Sequence, residues 1–212
     1  MTDINKPLDG EGNHPWIRTA NGGRFYYLDM DGTQYDIDVA AAALSRLCRY
    51  AGHLSDEFDD DIYSVAQHSV YVYRLLCMID ASPSACLWGL LHDVPEAYFV
   101  DLPSPLKGII PEYGALEDES AAAFRDAFDI PFSDEIHDKV KWADYQLYFA
   151  ERLDLTTIPA GEEDLTPLPL YMLDQIDPEF YLWRPRHARQ QFLKAHAEAN
   201  KLCKESAYAN AS

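Results

Sequence analysis

The 212 residues carry 36 Asp and Glu against 17 Lys and Arg, a formal charge of -19 at pH 7, with 48 % of the chain hydrophobic. That length supports one substantial core, and so negative a surface repels nucleic-acid polymers and anionic membranes, since no basic stripe offsets it. The N-terminal MTDINKPLDGEGNHP is polar and broken by Gly and Pro, and no apolar run approaches a membrane span, so a cytoplasmic protein is expected.

In chain order, Arg24 to Leu28 and Gln34 to Ile37 flank Asp31-Gly32, which predicts a short β-hairpin. From Asp38, VAAAALSRLCRY places helix formers at helical spacing and predicts a first helix ending near Gly52. Apolar residues at Val65, Val72, Leu75 and Leu76 predict a second helix within Ile62 to Ile79. Ser82 as cap and Pro83 in the first turn open a third, through Leu87, Leu90 and Leu91, which carries His92-Asp93. Pro103, Pro105 and Pro111 then interrupt the chain before a helix over Glu112 to Phe128.

Ser133 caps a further helix to about Leu153, with an inner stripe of Ile136, Val140, Ala143 and Leu147. The segment Asp154 to Arg186 is proline-punctuated and too long for an ordinary connector. A lid, an oligomer contact and irregular packing all fit it. A last amphipathic helix, Ala188 to Lys204, runs through Phe192, Leu193 and Leu202. The expected fold is an all-α bundle with a small N-terminal hairpin. Residues 1–35 would be an extension with the hairpin, 36–153 the core, and 154–212 the proline-rich segment and final helix. Asp59-Asp60-Asp61, with Asp56 and Glu57, reads as a solvated loop. Cys48, Cys77, Cys86 and Cys203 form no C-x-x-C pair and read as reduced core residues.

Four polar positions break this pattern. His68 falls three residues after Val65 and four before Val72, on the buried stripe, and Asp144 shares a face with Val140 and Leu147. A buried imidazole or carboxylate is costly unless it is hydrogen-bonded, paired or metal-bound. With the His92-Asp93 doublet, three helices could aim two imidazoles and two carboxylates at one divalent ion, a ligand set suited to hydrolysis. Glu96 lies about one turn after His92, placed to hold or donate a proton at a reacting group.

The ordered segments Tyr63-Ser-Val-Ala-Gln-His68-Ser, His92-Asp-Val-Pro-Glu96-Ala, Asp101-Leu-Pro-Ser-Pro-Leu-Lys107 and Trp142-Ala-Asp144 resemble the HD-domain phosphohydrolases. The likeness covers roughly residues 20 to 155 and is greatest to bacterial 5'-deoxynucleotidases and their phage-encoded relatives. The resemblance implies one divalent ion (cobalt, manganese, zinc or magnesium) on His68, His92, Asp93 and Asp144. It makes Glu96 the catalytic acid/base and Asp101 a carboxylate orienting the attacking water or Glu96. Arg49 would grip phosphate and Lys107 would add a second cation, while Arg46, one turn before Arg49, could stand in for it. Tyr50 and Pro103 could wall the base or sugar.

The compact chain, the Arg-Tyr-Ala-Gly-His53 stretch and YSVAQHS look most like phage dATP triphosphohydrolases. Conversion of dATP to deoxyadenosine and triphosphate is therefore the leading expectation, in the host cytoplasm if the chain is phage-encoded. Release of orthophosphate from deoxynucleoside monophosphates is the alternative, and a nucleotide-binding regulatory protein with low turnover is a reading from another class. Family analogy also implies a homo-oligomer, with Leu168 to Trp183 as a candidate contact.

Overall fold

The computed structural model describes residues 15–58, 61–161 and 168–210. The fold is all-α with a small N-terminal antiparallel hairpin. Strand β1 (Trp16–Arg18) pairs with β2 (Arg24–Tyr26), setting Ile17 opposite Phe25. The predicted hairpin shares only the β2 strand with this one. Its expected turn, Asp31-Gly32, instead opens a 3-10 turn over Gly32–Gln34, where the Asp31 side chain accepts from Thr33 N. The actual reversal is Thr19 to Gly23, where Asn21 Oδ1 accepts from Gly23 N and Gly22 takes φ +88°, a region open to glycine.

Helix α1 (Ile37–Leu44) is capped by Asp36, which accepts from the backbone of Asp38 and Val39. It stops at Ser45, well before Gly52. Beyond it the chain is drawn into a short ladder, Arg49 N to Tyr63 O at 2.8 Å and Val65 N to Leu47 O at 3.0 Å, which outweighs local helix propensity. The predicted cap residues hold two of the next helices, Ser82 for α3 (Pro83–Leu91) and Ser133 for α7 (Asp134–Leu155), and Ser64, which was not predicted, caps α2 (Val65–Met78). Short helices α4 (Glu96–Phe99) and α5 (Ser104–Lys107) occupy the proline-broken region before α6 (Pro111–Ala127). In the segment after α7, the described residues include one short helix, α8 (Leu173–Ile176), and α9 (Pro185–Asn210) outruns its predicted length at both ends.

Helices α2 and α3 form the centre and pack on each other, on α7 and on α9, while α1 packs on α4 and α9. Leu75, Leu76, Leu90, Leu147 and Phe192 are fully buried among them. Gly89 permits the α2–α3 approach, since a Cβ there would stand 2.2 Å from Leu76 Cδ1. The hairpin is tied to the same core through Phe25, whose ring stacks on Tyr98 of α4 at 4.2 Å between centroids. Tyr27 Oη–H adds a bond to the Tyr98 carbonyl at 2.8 Å, so the hairpin braces the helix that begins with Glu96. Cys86 and Cys203 are buried as expected, but Cys77 is exposed and Cys48 half-buried: Cys77 lies outside the apolar stripe of α2.

Candidate metal centre

His68 is fully buried on α2, and its two ring nitrogens have different surroundings. Nδ1–H donates to Glu151 Oε1 at 2.6 Å. Nε2 is left 3.1 Å from Asp144 Oδ1 and 3.6 Å from Asp93 Oδ2, without a hydrogen bond among the described residues. His92 stands at the C-terminal cap of α3 rather than inside it, because the helix ends at Leu91. Its Nδ1 lies 2.8 Å from Gly89 O, and a carbonyl only accepts, so the proton sits on Nδ1 and the lone pair on Nε2. That Nε2 is buried, 3.1 Å from Asp93 Oδ1 and 3.9 Å from Asp144 Oδ1, and also lacks a hydrogen bond among the described residues.

Two buried imidazole nitrogens left without hydrogen bonds are costly in any protein that does not use them. One donor atom from each of His68, His92 and Asp93 lies within 4.8 Å of the others, so this group could hold a metal ion. Fixing each Nδ1–H on an oxygen selects the tautomer that presents Nε2 to a cation, as metal-binding histidines usually do. Asp144, on the inner face of α7, adds its carboxylate oxygen beside both rings. All four sequence-predicted ligands are therefore brought together.

Charge within the cluster is strongly interdependent. Burial and the neighbouring Arg49 both oppose a positive His68, yet Glu151 and Asp144 carry its pKa up to about 9, so a cation binding at Nε2 would displace a proton from it. Burial works against ionisation of Asp144 as well, but its closeness to His68 and the charges of His68, His92 and Arg49 hold its carboxyl well below the usual range. Glu96 is the opposite case. Burial first, then Asp93 and Asp101, push its carboxyl well above its ordinary value. Its Oε2 has no hydrogen-bond partner among the described residues, while Oε1 lies 3.4 Å from Lys107 Nζ. A buried acid that keeps its proton beside a metal-ligating group is suited to general acid work.

Arg49 lies inside the site, with Nη1 3.6 Å from Asp93 Oδ2 and Nε 3.2 Å from Glu151 Oε2. Arg46 does not, since its guanidinium bonds back to the Ala42 carbonyl of α1. Of the two arginines, Arg49 is the one beside the cluster. Arg49 reaches inward because the chain turns sharply after it: Tyr50 and Ala51 take φ of 56° and 50°, left-handed values that non-glycine residues adopt at a cost. Lys107 bridges Glu96 and Glu117, the latter at 3.0 Å. A cavity of about 480 Å³ adjoins the cluster, lined by Arg49, Tyr50, His53, Asp101, Pro103 and Tyr148 among others. Tyr50 packs nearly parallel to Tyr148 at 6.2 Å between centroids and donates its hydroxyl to Glu151 Oε2 at 3.1 Å.

Glu151 is the residue that the sequence reading passed over. It is fully buried, yet four donors converge on its carboxylate: His68 Nδ1–H, Tyr63 Oη–H at 2.8 Å, Tyr50 Oη–H and Arg49 Nε–H. Burial disfavours its charge, but His68 and Arg49 more than compensate and lower its pKa. The signal was present, because Glu151 lies four residues after Leu147 on the stripe that contains Asp144.

Fold and site define an all-α protein with a His/Asp group able to hold a metal ion. Over 140 residues the chain is 36 % identical to YfdR, an uncharacterized protein of Escherichia coli strain K12, covering 66 % of this chain and 72 % of that one. It belongs to the same family as YfdR. It is also 32 % identical over 121 residues to an uncharacterized protein of Rhodobacter capsulatus, covering 55 % of this chain and 59 % of that protein. No family model matches the sequence.

Proposed function

We propose that this protein is an HD-type, divalent-metal-dependent phosphohydrolase that cleaves the bond between phosphorus and the 5'-oxygen of a deoxynucleotide. The observation that supports this most is the pair of buried Nε2 atoms, from His68 and His92, facing Asp93 and Asp144 with no hydrogen bonds among the described residues. These four residues would hold the ion. Two imidazoles and two carboxylates accept cobalt, manganese, zinc or magnesium. When bound, the ion polarises phosphoryl oxygens and lowers the pKa of water.

The protein's own groups supply the rest. Phosphoryl transfer to water needs an in-line nucleophile and neutralised nonbridging oxygens rather than covalent chemistry. Arg49 offers a fork of donors to two such oxygens and Lys107 a second positive charge. Asp101, half-buried in the wall of the adjoining cavity, orients the attacking water or Glu96. A water oxygen bonds to the α-phosphorus as the bond from phosphorus to the 5'-oxygen breaks, the Glu96 proton goes to the departing deoxynucleoside oxygen, and a proton of the attacking water restores Glu96. Tyr50 and Pro103 line the adjoining cavity, whose size and flat walls suit a nucleoside.

On the likeness of its motif segments to phage enzymes, dATP is the leading substrate, giving deoxyadenosine and triphosphate. Deoxynucleoside monophosphates are the second reading, favoured by the placement of Arg49 and Lys107 against the carboxylates of Asp93 and Glu96, where one phosphate needs them. A cytoplasmic homo-oligomer is part of the proposal, supported by Leu168 and Leu170, which are 82 % and 70 % exposed. The test is incubation of the full chain with cobalt and each dNMP and dNTP, products resolved by chromatography. Triphosphate with deoxyadenosine is expected from dATP. Orthophosphate from monophosphates alone removes the dATP reading, and no product from any nucleotide removes the hydrolase.

A further inference from the structure

A second cavity, of about 550 Å³, lies where α3, α6 and α7 meet and is lined by Trp88, His92, Lys107, Arg125, Phe132 and Lys141 among others. It meets the metal cluster through His92 and Asp144, whereas the cavity beside Tyr50 meets it through Arg49 and Asp101, and no residue lines both. A ligand lying across the cluster could therefore place different parts in the two cavities.

The charge of this second cavity runs against that of the chain. In a protein of net charge -19, Lys107, Arg125 and Lys141 border it against two carboxylates, Asp118 and Asp144, and Asp144 belongs to the metal cluster. Two of the three cations are positioned by rings rather than by acids. The Arg125 guanidinium lies 4.0 Å from the Phe132 ring centroid and 4.9 Å from that of Trp88, and Lys141 Nζ lies 5.9 Å from the Tyr145 ring. Among the described residues neither forms an ion pair, although acidic residues are about twice as numerous as basic ones in the chain. A cation held over an aromatic face keeps its charge available to an incoming anion, whereas one already salt-bridged does not. Flexible multivalent anions are held by such point charges spread along a groove.

We infer that this cavity is a phosphate-chain subsite: Arg125 and Lys141 bind the distal phosphates of a nucleoside 5'-triphosphate whose α-phosphate lies at the metal cluster. The inference rests on the reading of the site as a nucleotide hydrolase and deepens it. The nucleoside occupies the cavity beside Tyr50, the scissile bond lies at the cluster, and the β- and γ-phosphates extend past His92 toward α6 and α7. A monophosphate makes no use of Arg125 or Lys141.

The test is calorimetric titration of the full chain, in excess magnesium, with inorganic triphosphate and separately with orthophosphate. It is run on the parent, on Arg125→Ala/Lys141→Ala and on Arg125→Lys/Lys141→Arg. The parent should bind triphosphate at least tenfold tighter than orthophosphate. The alanine pair should lose at least tenfold of that preference with orthophosphate binding unchanged, and the charge-conserving pair should retain it. No preference in the parent, or a preference undiminished in the alanine pair, overturns the subsite. If the preference behaves as expected while no nucleotide is hydrolysed by any of the three proteins, the hydrolase reading fails and the subsite stands.

Discussion

Glu151 Oε1 lies 2.6 Å from His68 Nδ1, deep in the core where α7 crosses α2. This contact fixes the His68 tautomer, turns Nε2 toward Asp93 and Asp144, and links the cluster to Arg49 and Tyr50 through the other carboxylate oxygen. A carboxylate with four donors around it has no need of a proton. An amide in its place would direct an NH₂ group at one or more of those donors. Glu151→Gln should therefore weaken metal binding about 10- to 100-fold, the usual scale for partners that orient a metal-ligating histidine. Competition with a chelator measures this, and circular dichroism checks that the helices remain.

Glu96→Gln separates proton transfer from metal binding. The amide keeps the side-chain volume beside Lys107 but cannot give up a proton. Turnover should fall roughly 10²- to 10⁴-fold, with metal content equal to that of the parent. Turnover within a few-fold of the parent would remove Glu96 from the acid role.

Arg49→Lys retains a positive charge near Asp93 and Glu151 but gives up the planar fork of donors. We expect kcat/KM to drop about tenfold or more, corresponding to the loss of about one charge-assisted hydrogen bond, roughly 1.5–3 kcal/mol. Arg46→Lys, on the arginine turned back toward the Ala42 carbonyl of α1, should leave kcat/KM unchanged.

Gly89 serves packing rather than chemistry. An alanine Cβ would stand 2.2 Å from Leu76 Cδ1 and 3.3 Å from Val72 Cγ1, in a core where both neighbours are fully buried. Overpacking of this kind costs about 1–3 kcal/mol, against about 1 kcal/mol gained in helix propensity. Gly89→Ala should lower the melting temperature, and a rise would mean that α2 and α3 are not packed as closely as described.

Helical periodicity located most of this architecture, because caps and apolar spacing are local properties. Ser82 and Ser133 mark helix starts through bonds to backbone amides three residues on, and His68 is visible as the polar member of an apolar stripe. The same rule reaches Glu151, but a glutamate near a helix end reads as solvated until its four donors, all of them from outside α7 and remote in sequence, are known. What periodicity could not supply was set by contacts distant in the chain. Helix α1 ends where Leu47 and Arg49 pair with Tyr63 and Val65, and β2 pairs upstream because Asn21-Gly22 makes the tighter reversal. The choice of Arg49 over Arg46 likewise depended on the left-handed turn at Tyr50 and Ala51.

The most direct test of the metal centre is equilibrium dialysis of the purified chain against cobalt, manganese, zinc and magnesium, followed by elemental analysis, with His92→Ala alongside. One divalent ion per chain in the parent and loss of that ion in the variant is the predicted result. A parent that retains none of the four ions, or a variant that retains as much as the parent, would contradict the assignment of His68, His92, Asp93 and Asp144 as ligands.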